Sequence, residues 1–214
     1  MDERGASLAD IQTLPENCLL LLAGPPGAGK STFCHQVILD SVAIERPVIS
    51  VTTEQGPAQV VSHLQDLGLR ELGFGTIGFV DAFSQTVGLT TPERADTIQA
   101  NCMDLNSISI ATTRLQERMG RIGILLAFDS LTSPYLLSGA EVVRFMRLFL
   151  SKFAAEGNSV LALMDEGCGK PEDLVAMMSI ADGIITMVVK ETSRVVNVVK
   201  HPTVAPAQFE TPMT

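Results

Sequence analysis

The sequence predicts an α/β protein built on a mostly parallel sheet, and three observations carry that expectation. Short, nearly all-apolar runs alternate with helix-like segments along the chain. The runs are apolar at consecutive positions rather than at every second one, as in strands buried on both faces. Hydrophobic residues make up 46% of the 214, with aromatics only 5% and no Trp, so the core must rest on aliphatic side chains. A chain of this length supports one well-buried domain, read here as residues 1–214 with a core at 14–202 and a C-terminal tail at 203–214.

The first strand is expected at 18–23, directly before a glycine. A second, at 47–53, is rich in β-branched residues. Further strands are expected at 76–80, 122–128, 159–164 and 183–189. Helices fall between them, at 31–39, 57–67 and 104–119, the last with Leu105, Ile108, Thr112, Leu115 and Met119 along one side. At 141–153, Val142, Phe145, Met146, Phe149 and Phe153 share one face while Arg144 and Arg147 take the other. Pro171, Glu172 and Asp173 open another helix, with proline and acids in its first turn. Residues 183–190 and 194–200, joined by a polar turn at 191–193, read as an antiparallel hairpin on the sheet edge. The segment 68–84 is loop-rich, and 201–214, with three prolines and no period, reads as a mobile or docked tail.

Charge and cysteine usage exclude several classes. Twenty-four acidic against 15 basic residues give −9, which argues against a dedicated duplex-DNA binder, since phosphate contacts need concentrated Lys and Arg. Cys18, Cys34, Cys102 and Cys168 lie far apart without a C-x-x-C pair, and only His35 adjoins one of them. Reduced thiols in a cytoplasmic protein are the expectation. After Met1-Asp2-Glu3-Arg4 the apolar run at 18–23 comes too late and is too short for a signal peptide. No stretch of 18 uncharged apolar residues occurs, so no membrane span is expected.

Gly24-Pro25-Pro26-Gly27-Ala28-Gly29-Lys30-Ser31 is a G-x-x-x-x-G-K-S loop between an apolar strand and a helix. Its glycines let the backbone wrap tightly and turn successive N–H groups toward phosphate oxygens. The start of the following helix adds free N–H groups and its positive dipole end. Lys30 would span the β- and γ-phosphates, Ser31 would ligate Mg²⁺, and Thr32 would lie nearer the α-phosphate. Random placement of this composition would produce the four fixed positions about 0.005 times, before the strand–turn–helix context is demanded.

Two further acids complete the constellation. Asp129 closes the strand at 122–128, where open α/β sheets bind ligands, and can hold Mg²⁺ opposite Ser31. Glu54 follows the strand at 47–53 and can orient and deprotonate a water aimed at the γ-phosphate, whereas Gln55 beside it cannot act as a base. Asp165 and Glu166 end another strand, for which metal support and simple solvation are equally good readings.

This combination resembles the RecA-fold P-loop ATPases, and among them the KaiC/RadA-like family. The resemblance rests on GPPGAGKSTFCHQ at 24–36, PVISVTTEQGPAQVVSHLQDLG at 47–68, VDAFS at 80–84 and LLAFDSLTS at 125–133, with ADGII at 181–185 and RVVNVVK at 194–200. It implies a RecA-type sheet in which the strand at 159–164 inserts between the P-loop strand and the Asp129 strand. It also implies hydrolysis of ATP with Mg²⁺, by homo-oligomers that hold nucleotide at a subunit boundary, in a hexameric ring or a filament. Glu54 falls on the family's catalytic glutamate and Gln55 on the second acid of a frequent pair. Lys200 falls on the lysine of a Lys-x-Arg pair that reaches a neighbour's γ-phosphate, with Pro202 where the arginine would stand. The family's Gly-Gly ahead of the P-loop strand is missing, and no room is left there for an N-terminal DNA-binding module.

The functional expectation is therefore a Mg²⁺-dependent ATPase acting as a regulatory or assembly factor, with Glu54, Lys30 and Lys200 as its catalytic groups. Its first competitor is a protein that binds ATP, barely hydrolyses it and uses occupancy to organise a protein partner. A recombinase-like DNA binder is disfavoured by the charge. A small-molecule kinase is disfavoured because no Arg-rich lid is evident.

Overall fold

The computed structural model describes residues 7–70, 75–89, 94–120, 122–191 and 193–212. Parts of four expectations lie outside these residues: the chain start at 1–4, positions 71–74 of the loop-rich segment, Thr192 of the turn, and 213–214 of the tail.

The first strand, β1 (Cys18–Gly24), is buried at every position. Its run of leucines suits a central place: Leu19 and Leu21 enter one core, Leu20 and Leu22 the other. Full burial of each such side chain contributes about 2 kcal/mol, before the opposing chain entropy is counted. Around it lie β2 (Val48–Thr52), β3 (Ile77–Asp81), β4 (Thr97–Gln99), β5 (Leu125–Asp129), β6 (Ser159–Asp165) and β7 (Gly183–Val189). The edge is completed by β8 (Ser193–Lys200) and β9 (Ala207–Pro212). The order is β4-β3-β2-β5-β6-β1-β7-β8-β9, parallel through β7 and antiparallel over the last two steps. The expected insertion of the 159–164 strand between the P-loop strand and the Asp129 strand is thus observed.

Helices cover both faces. On one lie α1 (Leu8–Gln12), α2 (Lys30–Ala43) and α3 (Pro57–Asp66), burying Ile11, Phe33, Val37, Ile38, Val60 and Leu64. On the other lie α4 (Leu105–Met119), α5 (Thr132–Ser138), α6 (Glu141–Phe145), α7 (Ser151–Ala155) and α8 (Pro171–Ile180). Local chemistry sets the ends of α4: the Asp104 side chain accepts from the Asn106 N–H, and Gly120 closes the helix at φ 58°. A π-helical turn at Met146–Leu150 joins α6 to α7, so the helix expected at 141–153 is one rod with a widened middle turn.

Two boundaries differ from expectation. The fourth expected strand begins at Leu125 rather than 122, because Gly123 turns at φ 73° and the Ile124 N–H bonds to the Asn158 side chain instead of the ladder. Of the two readings of the tail the docked one is observed, and as a strand: 207–212 pairs with β8 from Val198↔Ala207 to Ser193↔Pro212. Alternating Phe209 and Thr211 with Gln208 and Glu210 gives this segment a strand period that its prolines conceal.

The N-terminal end of the sheet is tied by Arg46. Its guanidinium donates to the carbonyls of Gly123 (2.8 Å) and Leu14 (2.8 Å) and to Ser159 Oγ (2.5 Å). The opposite end, where the parallel strands finish, holds the loops. With β5 and β6 inserted between β1 and β2, the chain leaving β1 must cross two strands, which opens a crevice at the strand tips.

Candidate active site

The loop after β1 bends through Gly27 (φ 78°) and Gly29 (φ 89°), values costly for any residue with a side chain. Gly29 has a second reason to be glycine, since a Cβ there would collide with the Arg194 guanidinium. The helix α2 starts directly on Lys30 without a side-chain cap, leaving its first N–H groups aimed at the crevice. Lys30 is buried, and its ammonium donates to the carbonyls of Gly24 (3.0 Å) and Pro25 (2.8 Å) and pairs with Asp165 Oδ1 at 2.5 Å.

Opposite the loop, Ser31 Oγ donates to Asp129 Oδ1 at 3.2 Å. The second oxygen, Asp129 Oδ2, is buried and accepts no hydrogen bond. Burial pushes this carboxyl up to about 6; the Ser31 hydrogen bond and the Lys30 charge oppose the rise, and the charges of Glu54 and Asp165 add to it. A half-buried hydroxyl–carboxylate pair with one unsatisfied anionic oxygen is a donor set suited to a hard divalent cation.

Glu54 stands beyond β2, held from the side by Ser130 Oγ, which donates to Glu54 Oε1 at 2.6 Å, with Ser133 Oγ at 3.4 Å. The tips of β2 and β5 are clipped together: Thr53 Oγ1 donates to the Ser130 carbonyl (2.8 Å) and accepts from the Ser130 N–H (2.8 Å). The Asp129–Ser130 peptide is cis. This clip fixes the spacing between the acid at each strand tip.

Two adjoining cavities meet here, about 400 Å³ over the loop and about 530 Å³ between α2 and α3. Ser31, Thr32, Glu54 and Asp129 line both. The second is bordered by His35 and His63, whose rings lie 5.7 Å apart. Burial, helped by the neighbouring His63, lowers His35 to about 4, so it offers a neutral ring at ordinary pH.

Of the residues singled out in the sequence, the fold gathers Pro26, Gly27, Gly29, Lys30, Ser31, Thr32, Glu54 and Asp129 around the loop cavity, with Gly24 at the end of β1 and Pro25 and Ala28 in the adjoining loop. Lys200 is not among them. It pairs with Ile184, which is level with Leu21, about 10 Å down the strands from Gly24. Its ammonium donates to the Ala181 carbonyl at 3.0 Å. The cation that the hairpin brings to the loop is Arg194, at the other end of β8. An antiparallel hairpin after β7 puts the start of its second strand level with the tips of the parallel strands, so this placement was readable from the topology. Ser130 and Asp165 are the other contributors that motif reading left without a role.

Comparison with known proteins bears on the family and the fold. The family model for the KaiC ATPases matches residues 7–204. The chain belongs to the KaiC ATPase family. Among solved structures, a KaiC-like protein from the hyperthermophilic archaeon Pyrococcus horikoshii OT3 superposes with a TM-score of 0.71 at 20% identity, covering 94% of this chain and 87% of that one. That likeness is one of fold. Two UPF0273 proteins are similar in sequence. One, from Methanocaldococcus jannaschii, is 27% identical over 186 residues, 81% of this KaiC-family chain and 73% of that protein. The other, from Aeropyrum pernix, is 27% identical over 183 residues, 81% of this chain and 71% of that protein. No helix among the described residues of this family member is long and apolar enough to cross a membrane.

Proposed function

We propose that this KaiC-family chain binds ATP with Mg²⁺ and hydrolyses it as a regulatory or assembly ATPase. The observation that carries the reading is convergence: the Lys30 loop, the Ser31–Asp129 pair and Glu54 border a single cavity. The loop N–H groups and Lys30 would hold the β- and γ-phosphates, with Arg194 as a second cation beside Gly29. Ser31 Oγ and Asp129 Oδ2 would hold Mg²⁺, which when bound neutralises charge building on the phosphates. Ser130 holds one oxygen of Glu54 and restricts its rotation, as a base that must present the other oxygen to a water requires.

A second reading, an ATP-binding organiser with little turnover, is favoured by Lys200. This lysine is engaged at the far end of its own sheet, so it would serve only a neighbouring copy's phosphate, and Pro202 replaces the arginine of the family pair. On either reading the chain self-associates through its nucleotide site, as a hexamer or a filament, and light scattering should show a larger species with ATP than without.

Calorimetric titration of ATP and Mg²⁺ into wild type and Lys30→Ala tests the shared core of both readings. The variant should bind at least about tenfold more weakly. Equal affinity would remove the loop from the site. Phosphate release by the assembled wild type then separates hydrolysis from occupancy alone.

A further inference from the structure

Lys30 carries three N–H donors, and all three are spent inside the chain: on Gly24, Pro25 and Asp165. The two carbonyls are neutral backbone acceptors at the end of β1 and the start of the loop. Asp165 is the charged member, and it lies at the tip of β6, opposite Gly24 in the β1–β6 register.

Its backbone cannot withdraw. The Asp165 N–H donates to Thr132 Oγ1 at 2.9 Å, its carbonyl accepts from Cys168 Sγ at 3.1 Å, and the next residue's N–H donates to the Gly24 carbonyl at 3.0 Å. The loop beyond is pinned as well, because the Lys170 N–H donates to the Tyr135 hydroxyl and that hydroxyl donates to Asp173. Only the side-chain torsions of Asp165 are free to respond. The carboxylate also lines the same cavity as Asp129 and Glu54, so an incoming polyphosphate meets three acids before it meets a free lysine.

We propose that Asp165 is an internal competitor for the phosphate-binding cation, setting a threshold that a phosphate ligand must overcome to reach Lys30. The proposal rests on the nucleotide-site reading above and adds its regulation. A polyphosphate takes the ammonium by displacing the carboxylate, and the displaced Asp165 then faces the ligand's negative charge. Both effects subtract from the affinity of every ligand that uses Lys30, and neither touches a ligand without phosphate.

The test is titration of MgATP, MgADP and adenosine into wild type, Asp165→Asn, Asp165→Glu, Lys30→Ala and the Lys30→Ala/Asp165→Asn double variant. Asparagine keeps the shape and removes the charge, so Asp165→Asn should bind both nucleotides on the order of tenfold tighter. Adenosine affinity should not move, and Asp165→Glu should stay within about threefold of wild type. In the Lys30→Ala background the asparagine gain should shrink, since the competition has lost its object. Damage to the fold would weaken binding, not tighten it. Unchanged or weaker nucleotide binding by folded Asp165→Asn, the latter expected if Asp165 supported the metal instead, overturns the proposal. Binding by wild type without a gain in the variant overturns this inference alone. Binding by neither protein overturns the nucleotide-site reading with it.

Discussion

The two ends of the sheet use similar polar residues and leave them in opposite states. At the N-terminal end Arg46 is held by two carbonyls and a hydroxyl, Asp182 accepts from the Leu19 N–H, and Asn158 both donates to Phe153 and accepts from Ile124. At the C-terminal end Asp129 keeps a buried oxygen without a partner and Arg194 makes no ion pair among the described residues, while Lys30 is held by two loop carbonyls and Asp165. Buried polar groups are normally paired, because an unpaired one costs about 1–3 kcal/mol. Apart from the buried His201 Nε2, the first end is tied by its own side chains, whereas the second leaves Asp129 Oδ2 bare beside the Lys30 loop, where a ligand would supply the partner.

The strongest way to test that contrast is Glu54→Gln. Losing a general base should lower phosphate release about 10²–10⁴-fold while ATP affinity stays near wild type; a variant that keeps a measurable wild-type rate would show that Glu54 is not the base. Next in size is Arg46→Ala at the opposite end. It strands three acceptors around a buried site and should destabilise the protein by about 3 kcal/mol, visible as a midpoint lowered by roughly 6–12 °C. Nucleotide affinity of the folded variant should hardly change. A large affinity loss there would mean that the two ends are coupled.

Asp129→Asn should move stability the other way. The carboxyl titrates from 3.8 in the unfolded chain to about 6 in the folded one. Between those values the unfolded chain has released its proton while the folded chain still holds it, so stability falls as pH rises from about 4 to about 6 and is flat above. Asparagine lacks this penalty, so without metal the variant should gain about 3 kcal/mol at pH 8 and almost nothing at pH 4. Wild-type Mg²⁺ affinity should correspondingly weaken as pH drops through about 6, because protons compete for the same oxygen. Denaturant melts across pH and metal titrations check both signs. The smallest effect belongs to Lys200→Ala. Its one bond to Ala181 implies a stability change within about 0.5 kcal/mol, whereas phosphate release should fall only in concentrated, assembled samples if a second copy uses the lysine.

The parallel core was legible because its signals are local. Leu19–Leu22 and Val48–Thr52 announce buried strands, and the glycines at 24–29 announce the tight turn between β1 and α2. The last strand was hidden because Pro206 and Pro212 flank Phe209 and because edge pairing depends on β8, a partner that periodicity cannot show. The candidate site was legible as far as motifs reach: Lys30, Ser31, Glu54 and Asp129 border one cavity. What motifs cannot carry is register. The antiparallel turn decides that Arg194 rather than Lys200 lies beside Gly29, and the parallel alignment of Gly24 with Asp165 decides which acid meets Lys30.

The sheet order also sets a clock during synthesis. Of the described strands β1 is made before the others, yet its two neighbours are β6 and β7, so roughly 140 residues must follow before even one side of it can pair. At about 5–20 residues per second that is a wait of roughly 7–28 s with four consecutive leucines uncovered along one strand edge. Nascent chains that stop before Ser159 should therefore aggregate or depend on chaperones, while those that pass Val189 can close the parallel core and leave only the edge ribbon to be added.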